Sequence, residues 1–569
     1  MASKLPSIAL AVGLMGCAST TPFPLQAPLL KDDDRRPVPQ APAEYYSPFA
    51  WDGANYMVFH PVARFFAFDP ADDAANANAF DEVPDSSWFE NRLGSRAMTA
   101  DEVRRGSCRE RELDPNAPDG AWLIDKGKDN GANPGFRVNV EGLGKFMLKS
   151  DPETEPDRAT GATAVASRIY HAVGYNAPCD TVVYFRPSLL KLKAGLTITD
   201  NTGAKKPFDQ AALDSLLKRA SQRDGLVRMV ASAWLPGKPV GPFRYEGTRS
   251  DDPNDVVPHE DRRELRGARL LAAWLNHFDS REQNTMDVFA TLDKNQKQGP
   301  GYVQHYIIDM GDCFGSRWTS DSISRRLGSS YIFDAGQVAV DFLTLGAVQR
   351  PWERAQLTGG IFGYFSARDF QPEEWRGEYP NPAFMRMQEQ DGAWMARILA
   401  RFTDELLSAA VQVGQYDSKS ERYLLATLIA RRNAILARYL TRVSPIASLA
   451  ADNQGVCGVD LARLTGTIPH DPLAFRAYVY RGKELRAGAK AHFRHEPAAG
   501  ICLDIPHQAL PVSLPLDAAE RYVVVDITNG SAPGPLRLHL YDLPNGYQLV
   551  GIERPERLTR PDPSRAQER

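Results

Sequence analysis

Trp274-Leu275-Asn276-His277-Phe278-Asp279-Ser280-Arg281-Glu282-Gln283-Asn284 is the stretch on which the fold of this chain turns. It follows a helical pattern over residues 260–277, in which Leu265, Ala268, Leu271 and Leu275 step along one face. Beyond it, residues 286–290 and 302–308 read as a hairpin with a polar tip at 293–301. The second strand runs into Tyr306-Ile307-Ile308-Asp309-Met310-Gly311. A carboxylate directly after a buried-looking strand needs a partner, and a metal or a basic side chain would provide one. Asp279, Asn284 and Asp309 are the candidate oxygen-bearing side chains of these two segments. On purely local grounds Asp279 could instead cap a turn, and Asn284 could open an ordinary hairpin. His277 reads as a brace for the loop, and Glu282 and Asp312 as solvated.

Upstream, residues 121–124, 136–140 and 145–149 read as three strands. A loop over 125–135 carries Gly127, Gly131 and Gly135, and glycine lets backbone N–H groups approach an anion closely. Lys149 ends the third strand. Residues 159–173 form an alanine-rich helix with Ala162, Val165, Ile169 and Val173 on one face and no acidic residue. Strands follow at 181–185 and 226–235, with an amphipathic helix at 209–219 between them. After Gly315 the pattern is helical, as in Trp394, Ile398, Phe402 and Leu406.

The loop resembles the catalytic loop of protein kinases: His277 lies two residues before Asp279, and Asn284 five after it. Asp309-Met310-Gly311 resembles their Asp-Phe-Gly motif. The run from Ile308 to Gly315 is similar to the Asp-x-Gly-x-x-Phe-Gly pattern of atypical kinase-like families: phosphoinositide-type, HipA-like, CotH and secretory-pathway kinases. The resemblance implies an α+β fold with a two-lobed kinase-like domain. Its β-rich N-lobe would span 120–245 and its helical C-lobe 246–445. It also implies phosphoryl transfer from ATP, with Mg2+, to the hydroxyl of an unknown protein or small-molecule acceptor. Asp279 would receive the acceptor proton, Lys149 would hold the α- and β-phosphates, and Arg281 would face the transferred phosphate. Gly131 and Gly135 would cradle phosphates, Asn284 and Asp309 would ligate metal, and the backbone of residues 233–235 would contact adenine. The kinase helix carries a glutamate for the lysine. Here Thr163 stands at that place, so the alternative is a pseudokinase or a binding lipoprotein without catalysis.

The chain ends add an address. Lys4, an apolar run over residues 5–16 and Leu14-Met15-Gly16-Cys17 read as a signal peptide, too short to span a bilayer. Leu-x-Gly-Cys resembles a bacterial lipobox, which implies a lipid anchor on Cys17. Ala18 and Ser19, with no aspartate there, imply the outer membrane. Residues 18–50, rich in proline, read as a disordered tether, and 51–119 as an irregular extension. Residues 450–553 read as a separate small β domain, in which Leu536, Leu538 and Leu540 alternate with polar neighbours before a Pro544-Asn545-Gly546 turn. Residues 554–569 read as a disordered, mixed-charge tail.

A net charge of −4 over 569 residues, without a basic cluster, argues against a nucleic-acid partner. The five cysteines besides Cys17 show no zinc spacing, and Cys457 with Cys502 is a possible disulfide. No nucleophile elbow, His-Glu-x-x-His or Walker loop occurs.

Overall fold

A computed structural model describes residues 23–25, 33–66, 72–108, 111–128, 133–199, 205–293, 299–317, 320–496 and 499–561. Cys17, Gly131 and the tail beyond residue 561 lie outside the described residues. The chain is a mixed α and β protein with several sheets. It forms two compact units: residues 30–445 with 461–469, and residues 446–460 and 470–569 with 1–29.

In the larger unit a sheet is built first from β1 (Trp122–Lys128), β2 (Gly135–Val140) and β3 (Gly144–Lys149), an antiparallel meander. Helix α1 (Arg158–Val173) follows, then β4 (Asp180–Phe185), β5 (Leu190–Leu192) and β6 (Leu226–Ala233). The order across the sheet is β4-β6-β3-β2-β1-β5, and only β5 pairs in parallel. Alternation assigns the faces. Phe136, Val138, Phe146, Leu148, Met229 and Ala231 share one buried core. The opposite face receives α1, which is buried at every position except His171. The helix stops at Gly174, where φ is 144° and a Cβ would strike the Phe89 ring.

β7 (Lys238–Gly241), β8 (Thr285–Thr291) and β9 (Gly301–Ile307) form a second, antiparallel sheet. Between β7 and β8 lies α2 (Arg263–Leu275), whose last carbonyls point toward the loop of interest. Arg431, on α3 (Ser418–Tyr439), donates to the carbonyls of Ala273 at 2.6 Å and Trp274 at 2.9 Å. A buried guanidinium thus supplies donors to helix-end acceptors. Asn276 then takes a left-handed conformation (φ 52°) that asparagine tolerates, and ends the helix.

Two expectations need correction. The glycine loop is shorter than residues 125–135, because β1 continues to Lys128 after a bulge, with Asp125 paired to Arg137 at 2.7 Å across the strands. The stretch 33–50 is not a free tether. Asp34 accepts from the Ser87 hydroxyl at 2.6 Å, Val38 bridges to Gly301 at the edge of β9, and Tyr45 N–H reaches the Val240 carbonyl at 3.0 Å. Proline leaves an extended chain enough donors and side chains to line a sheet edge. Of residues 18–32, only 23–25 are described.

The smaller unit holds a four-stranded and a five-stranded sheet. Strands Leu536–Leu543 and Gly546–Glu553 meet at the expected turn. Cys457 and Cys502 are directly opposed on neighbouring strands and joined by a disulfide. A second disulfide, Cys108–Cys179, ties the extension to the start of β4 in the larger unit. No helix among the described residues is long and apolar enough to cross a membrane.

Candidate active site

The loop after α2 is stitched to the segment after β9. Ile308 N–H donates to the Asn284 carbonyl at 2.9 Å, and Phe314 N–H to the Leu275 carbonyl at 2.7 Å. Within the loop, the Asn284 amide donates to the Asp279 carbonyl at 2.8 Å, leaving its side-chain oxygen for other use. Buried His277 holds Tyr170 of α1 at 2.9 Å through Nδ1, and burial pushes its pKa down to about 4. A neutral imidazole there braces the loop.

Asp309 follows β9 in a left-handed conformation (φ 56°), one of the few such backbones an aspartate adopts readily. Its Oδ1 lies 2.7 Å from Lys149 Nζ. Burial works against both charges, but each outweighs that for the other: Asp309 is held below the usual carboxylate range and Lys149 above the usual amine range. Lys128, at the end of β1, donates to the Asn133 carbonyl at 2.9 Å. Burial and then Lys149 push its pKa down to about 8. Gly311 lets the glycine loop and α1 close in, since a Cβ there would lie 3.2 Å from Asn133 Nδ2 and 3.3 Å from Thr163 Oγ1. Gly135 sits against β3, where a Cβ would strike the Leu148 carbonyl.

The segment after Asp309 is pinned to α1 by a buried ion pair. Arg158 meets Glu155 at 2.8 Å and donates to the carbonyls of Gly311 at 2.8 Å and Gly315 at 3.0 Å. Arg281 contacts Asp279 at 2.5 Å and also pairs with Glu378. The Asp312 carboxyl is the neighbouring like charge. Burial first, and then the Asp312 charge, drive Asp279 well above the usual carboxylate range against the pull of Arg281.

Asp279, Arg281 and Asn284 thus share one loop that is bonded to the segment carrying Asp309, and Asp309 pairs with Lys149, which lies opposite Gly135 of β2. No protein family, curated protein or solved structure matches this chain. The chemistry of the site must therefore be read from its own atoms. Among the described residues no group of three or more His, Cys, Asp or Glu side chains is arranged to hold a metal ion. Magnesium asks for less: it takes one or two protein oxygens and fills its shell with water and phosphate. Asp309 is ionised, and the Asn284 side-chain oxygen is not the atom that bonds Asp279.

Three features differ from the sequence reading. Asp312 is half-buried near Asp279 and not fully solvated. Glu282 is buried too, accepting from Tyr56 Oη at 2.6 Å. At residues 233–235, the Trp234 N–H already serves the Lys145 carbonyl at 2.9 Å, and its carbonyl takes Arg111 at 3.2 Å. Lys128, Glu378 and the Cys108–Cys179 bond were not anticipated. Lys128 carried a weak signal, a lysine opening a glycine loop; the others depend on contacts across many residues.

Proposed function

We propose that this chain is an extracytoplasmic kinase-like phosphotransferase, moving a phosphoryl group from Mg-ATP to an acceptor hydroxyl. In this reading β1-β2-β3, α1, β4 and β6 form the β-rich N-lobe, and α2, its loop and the later helices the helical C-lobe. The observation that supports it is the joining of two segments distant in sequence: Ile308 N–H on the Asn284 carbonyl, the Asn284 amide on the Asp279 carbonyl, and Asp309 on Lys149.

Bound Mg-ATP would supply the phosphoryl group and a divalent charge that offsets the negative charge of the transition state. Asn284 and Asp309 would hold the metal by oxygen, and Lys149 the phosphates. Asp279 takes the acceptor proton as the acceptor oxygen bonds to phosphorus and the bond to the leaving diphosphate breaks. General-base work of this kind contributes ~10²–10⁴-fold. Arg281 favours the ionised form of that base and holds its carboxylate in place.

The same reading gives the chain a lipid anchor at Cys17 on the outer membrane, and two disulfides fit an oxidising compartment. Some observations favour the runner-up, a pseudokinase or binding lipoprotein. Helix α1 has no carboxylate for Lys149, and the Trp234 carbonyl is in use. Thermal melting of the purified chain decides: Mg-ATP raises Tm, ATP with EDTA does not, and Asp309→Asn removes the rise. No rise in the wild type overturns the nucleotide reading. A rise with no phosphoryl transfer to envelope extract makes the chain a binding platform.

A further inference from the structure

Strand register brings a buried carboxylate to the face of the sheet that carries Lys149. Lys149 of β3 pairs with Val230 of β6, and Val230 with Val182 of β4. Opposed residues share a face, as do residues two apart on a strand. Asp180, opposite Ser232, therefore points to the same side as Lys149. That side is where α1 packs: Arg228, two residues before Val230, donates to Thr160 Oγ1 of the helix at 2.9 Å. Helix α1 offers Lys149 no carboxylate. Thr163 cannot stand in, because its hydroxyl is turned to the Ala159 carbonyl at 2.8 Å.

Asp180 is 2% exposed, and its Oδ1 has no hydrogen-bond partner among the described residues. Burial is the largest influence on it, pushing the carboxyl up to about 6; a bond from Ser232 and the charges of Lys149 and Arg168 act in the other direction. A buried carboxylate with an unused oxygen is costly and calls for a cation nearby. Lys149 at present spends its charge on Asp309, the same carboxylate the proposed reaction needs for metal. When Asp309 turns to a metal ion, Lys149 loses its anion.

We propose that Asp180 is the positioning residue that takes over Lys149 once Asp309 engages metal, a strand supplying the carboxylate that the helix lacks. This rests on the phosphotransferase reading, which its test separates. The full chain and its Asp180→Asn and Asp180→Ser variants are melted alone, with Mg2+ and with Mg-ATP, and the Mg-ATP affinity is titrated. Expected is a metal-free and nucleotide-free Tm close to wild type, at least tenfold weaker Mg-ATP binding in either variant, and partial recovery in Asp180→Glu. Arg168→Met, which removes the other cation near Asp180, leaves the affinity within about twofold. Wild-type affinity in both neutral variants, with or without a lower ligand-free Tm, makes Asp180 a structural partner of Arg168 and overturns the inference alone. Should one neutral variant fail to fold, the other decides; should both fail, Asp180 is structural and the inference falls. Absence of Mg-ATP binding in the wild type overturns both readings.

Discussion

The carboxyls of Asp279 and Asp312 are neighbours that oppose each other's ionisation, one from the loop after α2 and the other from the turn after Asp309. Two carboxyls in contact cannot both ionise cheaply, so the pair keeps a proton that each would lose alone in water. Burial raises both carboxyls, Asp279 the more strongly, with the Asp312 charge adding to the rise and Arg281 opposing it. The folded chain therefore binds a proton that the unfolded chain releases above the ordinary aspartate value of 3.8. That contribution to stability is complete below this value and is lost as pH rises through the folded-state pKa.

Asp312→Asn removes the repulsion and keeps the size of the side chain. Its Tm is expected to exceed that of the wild type at pH 8 and to match it near pH 4. If phosphoryl transfer is measurable, the acid limb of its pH profile moves to lower pH, because Asp279 then ionises without a charged neighbour. Scanning calorimetry across pH, with the rate profile, checks both.

Glu282 gives a second pH effect of the same sign. Burial, as the largest cause, pushes its carboxyl from 4.5 up to about 7, while the bond from Tyr56 acts in the other direction. Stability linked to this group is complete below pH 4.5 and lost as pH rises toward 7. The span is worth on the order of 3 kcal/mol. Glu282→Gln keeps an acceptor for Tyr56, so its denaturation midpoint should change less between pH 5 and pH 8 than that of the wild type.

Arg158 and Glu155 are each almost fully buried, and together they hold Gly311, Gly315 and Ser316. Removing one partner strands the other charge out of water. Arg158→Met is expected to cost ~3–5 kcal/mol in urea denaturation. It also frees the segment after Asp309, so Mg-ATP affinity should fall more than in an equally destabilised variant elsewhere.

The disulfides close sequence separations of 71 residues in the larger unit and 45 in the smaller. The chain-entropy relation assigns each about 4 kcal/mol. Reductant should lower the melting temperature, and Cys108→Ser with Cys179→Ser should reproduce the loss in the larger unit. Equal melting with and without reductant would mean that native-state strain cancels the entropic gain.

The parts legible from sequence are those whose cause is local. Strand alternation in 136–140 and 145–149, the helical step of Leu265, Leu271 and Leu275, the hairpin after the loop and the Asn-Gly turn near 545 each follow from a few adjacent residues. The observed elements differ from those expectations by a few residues at their ends. Asp279, Asn284 and Asp309 are singled out by the resemblance of their two short segments to kinase motifs, which can be read without their surroundings.

Charge environment was decided elsewhere. Glu282 and Asp312 look like any polar loop residues in one dimension, and burial depends on what covers them: Tyr56 from more than two hundred residues upstream for Glu282, and Asp279 beside Asp312. The extended residues 33–50 read as a tether because proline and charge say nothing of an open sheet edge waiting at Gly301. Asp180 is the plainest case. Its sequence neighbours form an ordinary strand, and only the register of three strands puts it on the face of Lys149. Side-chain period and helix length are properties of a short segment, whereas desolvation and ion pairing belong to whichever segments the fold packs together, so the first could be read from the chain and the second required the tertiary structure.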